Sequence, residues 1–132
     1  MSAHDTHDGG ARGVVKRAED VAFRQVAAGT GTRTQVLIGE DDGAPHFAMR
    51  RFSMETGGGM PRHTNTVEHE QYVLKGRARI AVGDRVHEVG PGSVLLIPAG
   101  APHSYEVTEG PFEFLCMVPH GPDRIEILDP RT

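Results

Sequence analysis

The apolar residues of this chain never run far before a glycine, a proline or an aspartate interrupts them. Seventeen glycines and nine prolines are spread along 132 residues, a breaker density that excludes long helices and therefore a helix bundle. What survives between the breaks are runs of a few residues, the length of β-strands. Strands are expected at 14–16, 22–26, 34–39, 47–54, 70–74, 77–82, 85–89, 93–97, 104–107 and 112–118. Asp42-Gly43, Lys75-Gly76, Gly90-Pro91 and Gly110-Pro111 punctuate them. In the run 77–82, Arg77, Arg79 and Ala81 alternate with Ala78, Ile80 and Val82, the period of a sheet with one wet face. Val82-Gly83-Asp84-Arg85 then reads as a two-residue hairpin, with Gly83 free to take the positive φ of a type II′ turn. By the same alternation His87 falls on the outer face with Arg85.

About ten short strands must close on themselves or pack as two sheets, because long open edges invite aggregation. The expected fold is all-β, a small barrel or jelly roll. The length leaves room for one domain: a flexible, polar tail at 1–13, carrying His4 and His7, and one barrel at 14–132. With five Phe, two Tyr and no Trp, the core has to come from Val, Ile, Leu, Met and Phe. The exclusions are clear. A net charge of −4 without a Lys/Arg-rich run disfavours nucleic acid. No apolar stretch reaches bilayer length, so no membrane partner is expected, and a cytoplasmic location is the default. One cysteine, Cys116, rules out an internal disulfide and a multi-cysteine zinc module.

Eight histidines are the unusual count. The stretch 57–76, GGGMPRHTNTVEHEQYVLKG, holds His63 and His69 on either side of Asn65, and IPAGAPHSY brings in His103. Neutral imidazoles are good ligands for divalent transition metals. Taken singly, each of the three also reads as an ordinary loop, strand or turn residue.

The spacing binds the segments together. Gly57, five residues, His63-Thr64-Asn65, three residues, His69, six residues and Gly76 form one unit. Gly92, five residues, Pro98-Ala99-Gly100, two residues and His103 form a second, with Val107 four places on. These two units resemble the paired motifs of the cupin superfamily, and the 15-residue gap between them resembles that of small bacterial cupins. The resemblance implies a double-stranded β-helix, the jelly-roll cupin barrel. It also implies one divalent metal ion (Fe, Mn, Cu, Ni or Zn) held at His63, Asn65, His69 and His103. Val107 stands where the family often has Asn, and two of the four metal positions also depart from the usual pattern: Asn65 stands for the second His, and His69 for the Glu. Using Glu70 instead would shorten the spacing and turn the side chain to the other strand face.

Three-histidine cupins that this chain resembles include dioxygenases, so the leading expectation is oxygenase chemistry on a small anionic or chelating substrate. Isomerase or lyase chemistry at the same metal, and non-catalytic binding, are the alternatives. An ion held by neutral ligands keeps its full charge and should attract an anion. Alternation places Gln71 and Val73 with His69, and Tyr105 and Val107 with His103. Phe114 and Cys116 share a face of the last strand. Gln71, Tyr105, Phe114 and Cys116 are the expected pocket walls. Arg50 and Arg51 occupy opposite faces, and Arg51 is assigned to the pocket as an anion clamp. Pairing of the N-terminal strands across a homodimer would cover an open edge, as family members often do. His46 and His120 have no assigned role.

Overall fold

A computed structural model describes residues 12–128. His4 and His7, and nearly all of the expected tail, lie outside the described residues. Within them there is no α-helix. Two short 3₁₀ turns, Ala18–Asp20 and Glu40–Asp42, accompany eight strands: β1 (Arg24–Gln25), β2 (Thr30–Ile38), β3 (Phe47–Asn65), β4 (His69–Val82), β5 (Arg85–Val89), β6 (Val94–Ile97), β7 (His103–Pro119) and β8 (Ile125–Ile127). Every pairing is antiparallel. The order is β1-β2-β3-β7-β4-β5, with β6 on β4 and β8 on β3. The all-β barrel expected from the breaker pattern is the fold found.

The long strands β4 and β7 exceed expectation for one physical reason. Lys75-Gly76 and Gly110-Pro111 look like breaks in the sequence, yet β4 and β7 run straight through them. Register shifts at 73–77 and between Met54 and Gly59 mark where the long strands bend and pass from one set of partners to another. β3 pairs its first half with β2 and the end of β7, and its second half with the start of β7 and with β8. At Gly59 the φ of +144° and the close approach of the Tyr105 carbonyl leave no space for a Cβ. The hairpin at Gly83 is as read, with φ +61° and Val82 opposite Arg85. Residues 14–16 form no strand, and Val15 is 97% exposed. Expected strand 22–26 contracts to Arg24–Gln25.

Alternation fills the interior. Val73, Ala78 and Ile80 of β4 meet Tyr105, Val107, Phe112, Phe114 and Cys116 of β7, with Met54 and Met60 from β3. Phe112 and Phe114 are fully buried, each contributing about 1.5–3 kcal/mol by leaving water. Phe52, Phe114 and Tyr105 form a stack, with centroids 5.1 and 5.5 Å apart and nearly parallel rings. All three rings also border the cavity that holds the histidines.

Candidate functional site

Three strands bring the histidines together. β3 carries His63 near its end, β4 opens with His69, and β7 opens with His103 directly across the ladder from His63. All three are buried. The His63 and His103 rings stand 4.1 Å apart between centroids, and those of His69 and His103 6.2 Å apart. They border one cavity of about 200 Å³, together with Asn65, Gln71, Tyr105 and Phe114. Glu70, on the alternate face, points away from this cavity and lines a separate outer cleft.

Local hydrogen bonds orient two of the rings. His63 Nδ1 lies 2.7 Å from the Pro61 carbonyl, and His103 Nδ1 lies 2.9 Å from that of Ala101. A carbonyl only accepts, so each Nδ1 carries a proton, and in the neutral ring this leaves Nε2 with the free lone pair. His103 Nε2 and His69 Nε2 are buried without a hydrogen-bond partner, as is Asn65 Oδ1. Burial, reinforced by the charges of Arg50 and His103, pushes the His69 pKa down to about 4. Burial also pushes His103 to about 4, against the opposing bond to Ala101. Both are neutral at physiological pH, the form that binds a cation.

No group of three or more His, Cys, Asp or Glu side chains among the described residues is gathered tightly enough to hold an ion as it stands. The donor set expected at His63, Asn65, His69 and His103 is thus convergent but not closed. Its chemistry nevertheless fits an ion: His63, Asn65, His69 and His103 border one cavity, and the Nε2 atoms of His69 and His103 and the Oδ1 of Asn65 are buried without a hydrogen-bond partner.

The rest of the wall divides between residues legible in the sequence and others that were not. Gln71 Nε2 donates to the Tyr105 hydroxyl at 2.6 Å, and burial raises the Tyr105 pKa so that the phenol stays protonated. Phe114 lines the cavity as expected. Cys116 does not. It is fully buried one layer behind, reached by Arg50 Nη2 at 3.4 Å and Gln71 Nε2 at 3.7 Å, and burial raises its thiol pKa.

The arginine assignment is also corrected. Arg51 is turned outward, paired with Glu113, because it shares a face with Ser53. Arg50 lines the cavity instead, its guanidinium 5.0 Å from the centre of the Phe52 ring. Alternation with Ala48, Phe52 and Met54 carried that signal. Asp123 and Ile125 complete the rim, and no local pattern announced them. His87 is exposed on β5 as expected. His120 Nε2 bonds the Ala44 carbonyl at 2.8 Å, away from the site.

Comparison with known proteins follows the same outline. The model of the cupin domain family matches residues 50–118. Among solved structures, the polyketide cyclase RemF from Streptomyces resistomycificus is 34% identical, over 88% of each chain, with a TM-score of 0.76. A cupin 2 domain-containing protein from Halorhodospira halophila is 32% identical over 75% of this chain and 71% of its own, with a TM-score of 0.70. KdgF from Halomonas sp. is 12% identical over 80% of this chain and 94% of its own, at a TM-score of 0.70, a likeness of fold alone. No curated protein matches the chain in sequence.

Proposed function

This chain belongs to the cupin family, and from that premise we propose that it is a metal-dependent enzyme acting on a small, enolisable, oxygen-rich substrate with anionic character. The observation that carries the reading is the cavity: three buried histidines, an arginine facing the same space, and aromatic and methionine walls. His63, His69 and His103 would hold one divalent ion, with Asn65 Oδ1 as a further donor. The rings already border one space, and their donor atoms would have to close on the ion to complete the set. Bound there, the ion would supply Lewis-acid charge to chelating carbonyl oxygens.

The remaining steps belong to the chain. Arg50 has no carboxylate partner among the described ion pairs, so its charge is available to an enolate or carboxylate oxygen. Tyr105 accepts from Gln71 and keeps its own hydrogen, a donor for a carbonyl oxygen on which charge develops. Phe52, Met54, Met60 and Phe114 exclude water and offer flat apolar surface. The cavity is below the roughly 300–1,000 Å³ of sites that enclose drug-sized ligands. It would therefore hold the reacting portion of a longer substrate. Similarity to a polyketide cyclase supports carbon–carbon bond formation between an enolised carbon and a ketone of the same molecule, with loss of water, a reaction that needs no oxidant.

A second reading is dioxygenase chemistry. Three neutral imidazoles leave a redox ion its full charge and open positions, which favours binding of a chelating anion beside O₂. One experiment separates the two. Protein loaded in turn with zinc, nickel or iron is incubated with a short linear poly-β-ketone, under argon and in air. The cyclase reading expects metal-dependent product lighter by one water in both atmospheres. Oxygen uptake, with product gaining two oxygen atoms only in air, selects the dioxygenase. Absence of metal-dependent binding and turnover, with equal metal content in wild type and His103→Ala, overturns the metal-site reading altogether.

A further inference from the structure

Beyond β7 the chain turns back at Gly121 and lays β8 along the end of β3, with Ile125 opposite Asn65 and Ile127 opposite His63. The segment crosses the rim of the cavity, and it lies outside the residues that the family model matches. Its anchor is Asp123. The Asp123 carboxylate accepts from the Thr66 backbone N–H at 3.0 Å and from Asn65 Nδ2 at 3.2 and 3.4 Å. Thr66 Oγ1 secures the same turn, donating to the Pro122 carbonyl at 3.1 Å and accepting from the Arg124 N–H at 2.9 Å.

A side-chain amide has two ends of opposite character. Turned inward, the NH₂ of Asn65 would direct hydrogens at imidazole lone pairs and at any cation among them. A carboxylate can only accept, so Asp123 can hold only the NH₂ end. The atom left over is Oδ1, buried and without a partner. Asp123 itself stays 3.9 Å from His69 Nε2, too far for a hydrogen bond. We propose that Asp123 is a positioning residue, which locks the Asn65 amide so that its oxygen rather than its nitrogen faces the cavity and serves as an oxygen donor to the ion. This rests on the metal-site reading above. It explains how asparagine can stand at a position where the resemblance leads one to expect histidine: the C-terminal segment fixes which end of the amide is offered.

The test titrates cobalt(II) alone into the metal-stripped full chain, read by calorimetry and by the visible absorption of the ion. Asp123→Ala and Asn65→Ala are each expected to weaken binding by roughly 10- to 100-fold, the range found for residues that orient ligands. They should shift the visible band alike, and the double variant should fall no further than either single one. Asp123→Asn is expected to restore most of the affinity, since its carbonyl oxygen can take the same amide hydrogens. Wild-type affinity in Asp123→Ala, additive losses in the double variant, or Asp123→Asn as weak as Asp123→Ala each overturns the positioning role. His103→Ala serves as the reference: if it binds cobalt like wild type, the metal-site reading fails independently of Asp123. Should Asp123→Ala not fold, Asp123→Ser replaces it, keeping a cap for Thr66 but too short to reach Asn65.

Discussion

The two adjacent arginines at the start of the family-matched segment do different work, and the difference is set by one residue of strand alternation. Arg50 shares the inner face with Phe52 and Met54 and borders the histidine cavity. Arg51 shares the outer face with Ser53 and pairs with Glu113. Replacing Arg50 by Met is therefore expected to weaken a chelating anionic inhibitor such as acetylacetonate by roughly 10- to 100-fold, the loss of one charge-assisted bond of about 1.5–3 kcal/mol. Arg51→Met should leave that affinity unchanged. Isothermal titration on the metal-loaded proteins checks both, and equal losses in the two variants would remove Arg50 from the site. Both candidates were visible in the sequence, but their sides were not. Choosing between them requires knowing which face of β3 is inward, and that is read from Ala48, Phe52 and Met54 as a set.

At the level of elements, the contact between β3 and β7 carries both the core and the site, and two substitutions probe its two halves. In the outer half, Arg51 and Ser53 of β3 hold Glu113 of β7. Burial alone would raise the Glu113 pKa, but these hydrogen bonds, with the charges of Arg51 and Lys75, leave it lowered. A group whose folded pKa lies below its unfolded value adds stability above the unfolded pKa and loses it as pH falls through the folded one. Chemical denaturation of wild type should therefore show stability falling below about pH 4.5, and Glu113→Gln should flatten that fall. In the inner half, Gly59 lies against the Tyr105 carbonyl at positive φ. Gly59→Ala should cost roughly 2–4 kcal/mol, through strain at a position that only glycine fits. Gly57, with no neighbour near its would-be Cβ, should tolerate alanine better, limited to the strain of its own φ. The same element shows why strand ends were harder to read than strands. Lys75-Gly76 and Gly110-Pro111 look like breaks in a local reading, and within the barrel they are bends that let one strand serve two neighbours. The bounds of β5, residues 85–89, are legible in the sequence because the hairpin at Gly83 fixes their register locally.

For the whole molecule, the barrel is a way to bring residues distant in sequence to one cavity. His63 and His103 are neighbours across a ladder, and Asp123 reaches Asn65 across 58 positions. The histidines were legible because fixed spacings tie each to the glycines that turn its strand. Asp123 was not, since nothing local distinguishes one aspartate in a C-terminal segment from another. A site assembled this way links metal binding to global folding, because the unfolded chain cannot present the same donors together. A ligand at a hundredfold excess over its Kd adds about 2.7 kcal/mol, so nickel or zinc should raise Tm by on the order of 10 °C for a domain of this size. Eight histidines complicate the measurement. His46 and His87 are exposed and can bind ions weakly, and an unfolded chain rich in histidine competes for the metal and lowers the shift. The informative quantity is therefore the difference from variants that keep the exposed histidines. His63→Ala and His103→Ala should each lose most of the shift, whereas His87→Ala should keep it. A shift that survives in both cavity variants and falls in His87→Ala would place the metal on the surface instead.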